Sequence, residues 1–282
     1  MHIFATALKA WWDDDALRLG ASLAYYTLFA IAPVLLVATG IAGLVFNTDT
    51  VRAEIVNQLD QLVGPEGAHA VQSLLDGASQ RRAGIVATTV GSVAFVIAAT
   101  GAFLELQAAL NTVWRVKLPG THLKALLIDR LRSFGLVIAI GFLLMVSLAV
   151  TAALAAFSAW LSRHSSSVPL MWSGVQLVVS LIGITSLFAL LYRVLPDVRL
   201  GWRDVTTGAF VTAVLFMLGQ QLIGLYLGRS ALASSYGAAG SVMILLLWVY
   251  YSCQILLLGA EFTRVYAQRR GTSVDPHVFA EA

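Results

Sequence analysis

The chain alternates between long stretches without charge and short segments that carry its charged residues. Six stretches contain no Asp, Glu, Lys or Arg: residues 19–48, 83–104, 133–162, 164–192, 205–228 and 230–260. A helix needs about 20 mainly apolar residues to cross the roughly 30 Å hydrocarbon core of a bilayer, and each stretch is long enough. Because a charge at the bilayer centre costs about 3 kcal/mol or more, six such absences predict six membrane-spanning helices.

Composition agrees with this pattern, since 59% of the residues are hydrophobic and only 12% are charged, against about 25% charged in soluble domains. A chain of 282 residues has little left beyond six helices and their loops. The sequence therefore predicts an all-α polytopic membrane protein without a separate soluble domain. Its predicted parts are a cytoplasmic interfacial helix (1–18), a six-helix membrane domain (19–267) and a disordered cytoplasmic tail (268–282).

The distribution of cations predicts the orientation, because cytoplasmic loops carry an excess of Lys and Arg. With the N-terminus inside, 13 of the 18 cations lie on the inner side; the other five are Arg52, Arg81, Arg82, Arg163 and Arg229. Both termini are therefore predicted to be cytoplasmic. No basic segment precedes the first stretch, where residues 13–15 are all Asp, so we expect an uncleaved anchor. The single cysteine, Cys253, excludes an intrachain disulfide.

Shorter amphipathic segments flank the predicted spans. Residues 3–11 have apolar positions at helical spacing, which predicts a helix on the cytoplasmic leaflet or one packed on the inner end of the bundle. Residues 47–82 contain two short amphipathic patterns divided by Gly64-Pro65, typical of an external helical hairpin. The basic cytoplasmic loop 111–132 can lie against anionic headgroups. We expect membrane lipids, anionic ones in particular, as partners.

Three residues mark candidate helix breaks or gates. Pro33 lies near the middle of the first predicted helix, where proline removes a backbone hydrogen bond. Its kink can serve packing, or it can expose a carbonyl to a hydrated cavity. Gly237 and Gly240 belong to an entry to the sixth helix that is rich in small residues.

The sequence offers no arrangement typical of a catalytic or metal site. The histidines are His2, His69, His122, His164 and His277, which the predicted topology scatters over both sides of the membrane. The cytoplasmic carboxylates lack the spacing of metal ligands, and no nucleophile elbow, phosphate-binding loop or zinc pattern occurs. Positive-inside topology already accounts for the inner cations, so they do not indicate nucleic-acid binding. We expect no enzymatic activity, no metal and no cofactor.

Polar residues near the inner ends of the helices are the candidate substrate pathway. Glu105 and Glu261 are expected to end at similar depth, Arg203 begins the fifth helix at that level, and Gln254 lies about two turns deeper than Glu261. We expect these four to line an inner-half cavity. Further candidates are Asn111, Tyr25 and Gln220. The alternative is interfacial anchoring of the carboxylates by Arg18, Arg115 or Arg264, with the glutamines bonding between helices.

Four separated motifs in the same order resemble the BrkB/YihY family of bacterial inner-membrane proteins. They are GASLAYYTL (20–28) with Pro33, ALNTVW (109–114), YRVLPD (192–197) with WRD (202–204), and YGAAGS (236–241) through LGAE (258–261). The likeness covers about residues 19–267. Arg115 departs from it, because the family often has a small residue, glycine in particular, after the tryptophan.

This resemblance implies a multi-pass protein of the bacterial inner membrane. Family members have carried the label ribonuclease BN and have been linked to serum resistance and, by suggestion, to the movement of lipids or lipopolysaccharide precursors. Together with the polar residues, this favours a transporter- or flippase-like protein for a lipidic or amphipathic envelope substrate. The alternative is a non-transporting membrane scaffold for envelope assembly with an envelope protein partner. A ribonuclease is the least favoured interpretation.

Overall fold

The computed structural model describes residues 2–42, 52–53, 55–57, 60, 68–69, 71–73, 76, 100–116, 169–229, 238–271 and 275–276. Its helices are α1 (His2–Asp13), α2 (Ala16–Ala42), α3 (100–113), α4 (Pro169–Val194), α5 (Trp202–Arg229) and α6 (Ala238–Arg269). Two short strands, β1 (Val198–Arg199) and β2 (Asp275–Pro276), pair in antiparallel register. The all-α class predicted from the uncharged stretches is confirmed.

The helix ends carry residues suited to those positions. Proline begins α4, where its missing N–H would have no helical partner. Asp204 lies in the first turn of α5, and Arg193 and Arg269 lie in the last turns of α4 and α6, in the sense that the helix dipole favours. After α6, Gly271 adopts a φ of 70°, the left-handed conformation common after helices.

Within the described residues, three helical segments are long and apolar enough to span a membrane: Leu177–Val194, Trp202–Gly224 and Val242–Arg269. A shorter apolar stretch, Ala16–Ile31, lies in α2, whose backbone stays helical through Pro33. The predicted second and third spans lie mostly or wholly outside the described residues. The count of six and the topology therefore stay predictions.

The chain divides into two compact units. Unit 1 comprises Met1–Leu8, Leu110–Val214 and Gly259–Ala282, and unit 2 comprises Lys9–Ala109 and Leu215–Leu258. The interior of unit 1 includes Tyr192, Val205 and Ala260. A core cluster of unit 2 is built from Ala24, Val71, Leu245 and Val249.

The flanking segments are described in part. In α1, Phe4, Leu8 and Trp12 are exposed at intervals of one turn, whereas Ala7 and Ala10 are buried. Within 47–82 the described residues are helical, and Arg52 Nη1 lies 3.7 Å from Asp76 Oδ1. The turn at 64–65, most of the loop 111–132 and most of the tail 268–282 lie outside the described residues. The predictions for the hairpin, the loop and the tail are therefore untested.

Candidate functional site

In unit 1, α5 and α6 pack through a reciprocal glycine–threonine contact. Gly208 of α5 faces Thr263 of α6, and Gly259 of α6 faces Thr212 of α5, so the helices run antiparallel. A Cβ atom at either glycine would overlap the facing threonine. The two threonine hydroxyls donate to Gly208 O at 2.8 Å and Gly259 O at 2.7 Å within their own helices. Small residues thus let two apolar helices approach closely.

Helix α4 joins this contact through Tyr192, whose side chain is fully buried. Its hydroxyl lies 3.2 Å from Thr212 Oγ1. Because the Thr212 hydroxyl already donates to Gly208 O, Tyr192 is the donor of the pair. The tyrosine hydroxyl also borders Gly259, at 2.6 Å from the position of a Cβ there. Three helices of unit 1 therefore meet at one buried group of hydroxyls.

A buried ion pair lies in the same stretch of α6. Arg264 Nη2 donates to Glu261 Oε2 at 2.6 Å, and the two side chains are 5% and 0% exposed. Both residues fall within the apolar span Val242–Arg269. Removing two charges from water costs several kcal/mol per ion, on the order of the Coulomb energy regained. A buried pair at this place is therefore weak evidence for stability and stronger evidence for a function.

Asn111 joins α3 to the loop that precedes α5. Its Nδ2 donates to Asp197 Oδ2 and its Oδ1 accepts from Asp197 N, each at 2.9 Å. Its backbone carbonyl accepts from Val116 N at 3.0 Å, while Arg115 N donates to Thr112 O. This pair of bonds is a Schellman motif, with Arg115 at a φ of 55°. The left-handed conformation explains why a glycine would suit position 115.

Further described charged residues of unit 1 lie near the ends of α4, α5 and α6. Asp204 is nearly buried and lies 3.6 Å from Arg270 Nη1. Arg203 is exposed, and the Arg193 guanidinium lies 5.4 Å from the ring centre of Trp202. In unit 1, therefore, Glu261 is paired with Arg264, and Arg203 is on the surface.

In unit 2, Glu105 accepts a 2.5 Å hydrogen bond from Ser22. Gln254 donates to Leu17 O at 3.4 Å, and its amide fills the space beside Gly20. The Gln254 Oε1 atom is buried and has no hydrogen-bond partner in the described part of the chain. Within the described residues, the Gln254 amide thus links α6 to α2 through its nitrogen only.

The other predicted residues of unit 2 differ in exposure. Tyr25 is exposed and meets Tyr26 edge to face, with ring centres 5.7 Å apart. Gln220 is half-buried, Gly240 is buried, and Gly237 lies outside the described residues. The shared cavity predicted for Glu105, Arg203, Gln254 and Glu261 stays a prediction. Among the residues described, no three His, Cys, Asp or Glu side chains are grouped to hold a metal ion.

Sequence reasoning missed the hydroxyl group of Tyr192, Thr212 and Thr263. The available signal was the spacing Gly-x-x-x-Thr, which occurs at 208–212 on α5 and again at 259–263 on α6. Residues four apart lie on one face of a helix, so in each Gly-x-x-x-Thr segment the glycine leaves a gap on the helix surface next to the threonine hydroxyl.

Comparisons with known proteins agree with this membrane architecture. A UPF0761 membrane protein of Ralstonia nicotianae is 28% identical over 260 residues, 90% of this chain and 56% of its own length. Similar proteins of Pseudomonas aeruginosa and Stenotrophomonas maltophilia are also 28% identical, over 88% and 93% of this chain and 58% and 60% of their own lengths. The chain thus spans little more than half of these relatives. No solved structure matches it.

The family described as "Virulence factor BrkB" matches residues 7–280. This range includes every described helix from the middle of α1 to the end of α6 and both short strands. It confirms the resemblance carried by the four sequence motifs. The chain is a membrane protein that belongs to the BrkB family.

Proposed function

We propose that the protein is a transporter- or flippase-like protein of the bacterial inner membrane that moves a lipidic or amphipathic envelope substrate. The observation that carries this proposal is the buried Glu261–Arg264 pair within an apolar helix. Ionisable residues at membrane depth are rare and are associated with substrate and ion pathways. The pair is therefore assigned a role in substrate passage.

A purely structural role does not account well for the pair. Apolar side chains of similar volume often replace a buried ion pair without loss of stability, or with a gain of about 1–4 kcal/mol. Arg264 can instead exchange its carboxylate partner for the phosphate of an acidic substrate, since a guanidinium binds both groups in the same fork geometry. The salt bridge to Glu261 would then re-form when the substrate leaves.

The second candidate is a non-transporting scaffold that holds an envelope protein partner. The observation in its favour is that buried and half-buried polar groups of unit 1 bond to one another, as Asn111 does to Asp197 and Tyr192 to Thr212. A bundle closed by such bonds offers a rigid platform. In this case the Glu261–Arg264 pair would hold α6 in its local conformation and would never open.

The experiment that separates the candidates measures lipid movement in proteoliposomes. Vesicles carry a phosphatidylglycerol with a fluorescent label on its headgroup, and an impermeant reductant bleaches label that reaches the outer leaflet. The variants are E261Q, R264Q, the double variant E261Q/R264Q and the charge swap E261R/R264E. D13N, at the exposed end of α1, is the matched control.

Transport predicts movement by the wild-type protein and D13N that is at least tenfold faster than in empty vesicles. It also predicts loss of this movement in the double variant and the charge swap, although both remain folded. A wild-type protein that moves no labelled lipid contradicts the flippase proposal. If cells that carry the charge swap have the same membrane phenotype as cells that carry the wild-type protein, the scaffold is favoured. The phenotype then requires only the local geometry of the ion pair and not the position of each charge.

We also propose that the chain has no enzymatic activity of its own, ribonuclease activity included. The purified protein should leave RNA intact under conditions in which it remains folded. RNA cleavage that co-elutes with the protein and disappears after substitution of one of its Asp or Glu residues would contradict this.

A further inference from the structure

A patch of two arginines and a tryptophan lies where α4 ends and α5 begins, with Trp202 and Arg203 exposed and Arg193 half-buried. The Arg193 guanidinium is 5.4 Å from the centre of the Trp202 ring, a cation–π distance. Trp202 is 60% exposed, and the neighbouring Arg203 is exposed as well. All three residues belong to unit 1. This part of the surface thus combines two cations with an aromatic ring.

The acidic residues close to the patch in sequence have partners of their own and offset its charge only in part. Asp197 is engaged by both polar ends of the Asn111 amide. Asp204 is nearly buried and is paired with Arg270. Because Asp204 is balanced by Arg270, two arginines stand against the single carboxylate of Asp197, and the patch keeps a net positive charge that is complementary to a phosphate. Arginine is also the residue best suited to phosphate, because its fork of donors binds two oxygens at once.

The same face of α5 continues as an apolar surface. Thr206 and Phe210 follow Trp202 at intervals of one turn, and both are exposed, Phe210 by 49%. This part of α5 lies within the apolar span Trp202–Gly224. Tryptophan is enriched at the headgroup level of membranes, whereas exposed apolar residues of a span contact acyl chains. Within two turns, this face of α5 thus changes from residues suited to a lipid headgroup to residues suited to an acyl chain.

We propose that Arg193, Trp202 and Arg203 form a headgroup site for an anionic phospholipid whose acyl chain runs along Phe210. The leaflet is the cytoplasmic one in the predicted topology. The phosphate is held by the arginines, and Trp202 fixes the depth of the headgroup. The site does not depend on transport, since a scaffold of the same fold would bind the same lipid.

The test uses the full-length protein purified in mild detergent. Native mass spectrometry measures binding of phosphatidylglycerol, of phosphatidylethanolamine with the same acyl chains, and of inorganic phosphate. The variants are R203Q and R193Q/R203Q. R269Q is the matched control, because Arg269 is an exposed arginine of the same unit at the end of α6. Thermal unfolding with and without each lipid is the second readout.

We expect phosphatidylglycerol to bind the wild-type protein and R269Q at least tenfold more tightly than phosphatidylethanolamine does. R203Q should lose part of this preference and the double variant nearly all of it, together with the rise in unfolding temperature that the lipid causes. Unchanged phosphatidylglycerol binding by the double variant overturns the site. An equal loss in R269Q, or an equal effect of inorganic phosphate, also overturns it, because either shows attraction without a lipid-specific site.

Discussion

Helices α5 and α6 pack against each other in both units, but with different chemistry. In unit 1 they meet through Gly208, Thr212, Gly259 and Thr263, and the same stretch of α6 holds a buried ion pair. In unit 2 the same helices meet through larger side chains. Ile223 and Ile244 are buried and packed against partly buried neighbours, and Gly219 lies against Tyr251 and Ile255. The contact in unit 1 depends on individual hydroxyl and charged groups, whereas the contact in unit 2 depends mainly on how closely the side chains fill the space between the helices.

This difference predicts where the protein tolerates change. An apolar contact accepts swaps of similar volume at a cost usually below about 1.5 kcal/mol. A glycine facing a threonine side chain accepts no added methyl group, and a buried charge accepts no loss of its partner. We therefore expect most sensitive positions of α5 and α6 to lie in unit 1, with Gly219, which faces Tyr251 and Ile255, as their counterpart in unit 2.

The largest effect is expected from breaking the Glu261–Arg264 pair. E261Q or R264Q leaves one buried charge without its counter-charge, which costs about 3–5 kcal/mol. The double variant E261Q/R264Q should recover most of this stability. E105Q in unit 2 is the comparison, since Glu105 is only half-buried and is held by a neutral serine. Thermal unfolding in detergent measures all four, and equal losses for E105Q and E261Q would remove the contrast between the units.

The next largest effect is expected from adding a methyl group at Gly208 or Gly259. G208A or G259A places a methyl group against the side chain of Thr263 or Thr212. Overpacking of this kind costs about 1–3 kcal/mol, and the branched threonines have little freedom to move. G224A on α5 is the control, because a Cβ there has no described atom within 4 Å. The unfolding temperature should fall for G208A and G259A and stay the same for G224A. A fall for G224A alone would show that the two glycine–threonine contacts are not the most closely packed positions.

The long helices were predictable from the sequence because lipid imposes a simple rule on composition. The uncharged stretches 164–192, 205–228 and 230–260 lie within or largely overlap α4, α5 and α6. However, α6 continues nine residues past its stretch, to Arg269. The charge that ends the pattern, Glu261, is neutralised inside the fold by Arg264, and composition alone does not reveal this.

The candidate site was less predictable than the helices. Glu261 was singled out, but its partner was one of several cations that the sequence left open, and an i,i+3 neighbour is a local choice that only packing decides. Tyr192 and the two threonines were missed, because a hydroxyl in an apolar run gives no signal by itself. The β1–β2 pair depends on a contact between residues 198–199 and 275–276, far apart in sequence.

A smaller effect is expected at the serine that holds Glu105 in unit 2. S22A removes the donor of the 2.5 Å hydrogen bond to Glu105 Oε1. Because the carboxylate is half-buried, water can replace part of the bond, and the loss should be about 1 kcal/mol. S22T, which keeps the hydroxyl, is the matched control. An unfolding temperature for S22A as low as that of E261Q would mean that both units hold their carboxylates equally tightly.

The smallest effect concerns two residues with positive φ, one in each unit. Arg115 in unit 1 has a φ of 55° and Asp15 in unit 2 a φ of 53°. The left-handed region costs a long side chain about 1 kcal/mol, whereas aspartate tolerates it better. R115G should therefore raise stability by about 0.5–1 kcal/mol, since the C′ position of a Schellman motif favours glycine. D15G should change it little.

The control for R115G is R115A, which removes the same charge but keeps a Cβ. Arg115 is exposed, so loss of its side chain alone should not stabilise the fold. If R115A raises the unfolding temperature as much as R115G, the gain comes from the charge and not from the backbone. If both variants lower it, the Arg115 side chain makes a contact that outweighs the strain, and the departure from the small residue of the family is then a stabilising feature of this chain.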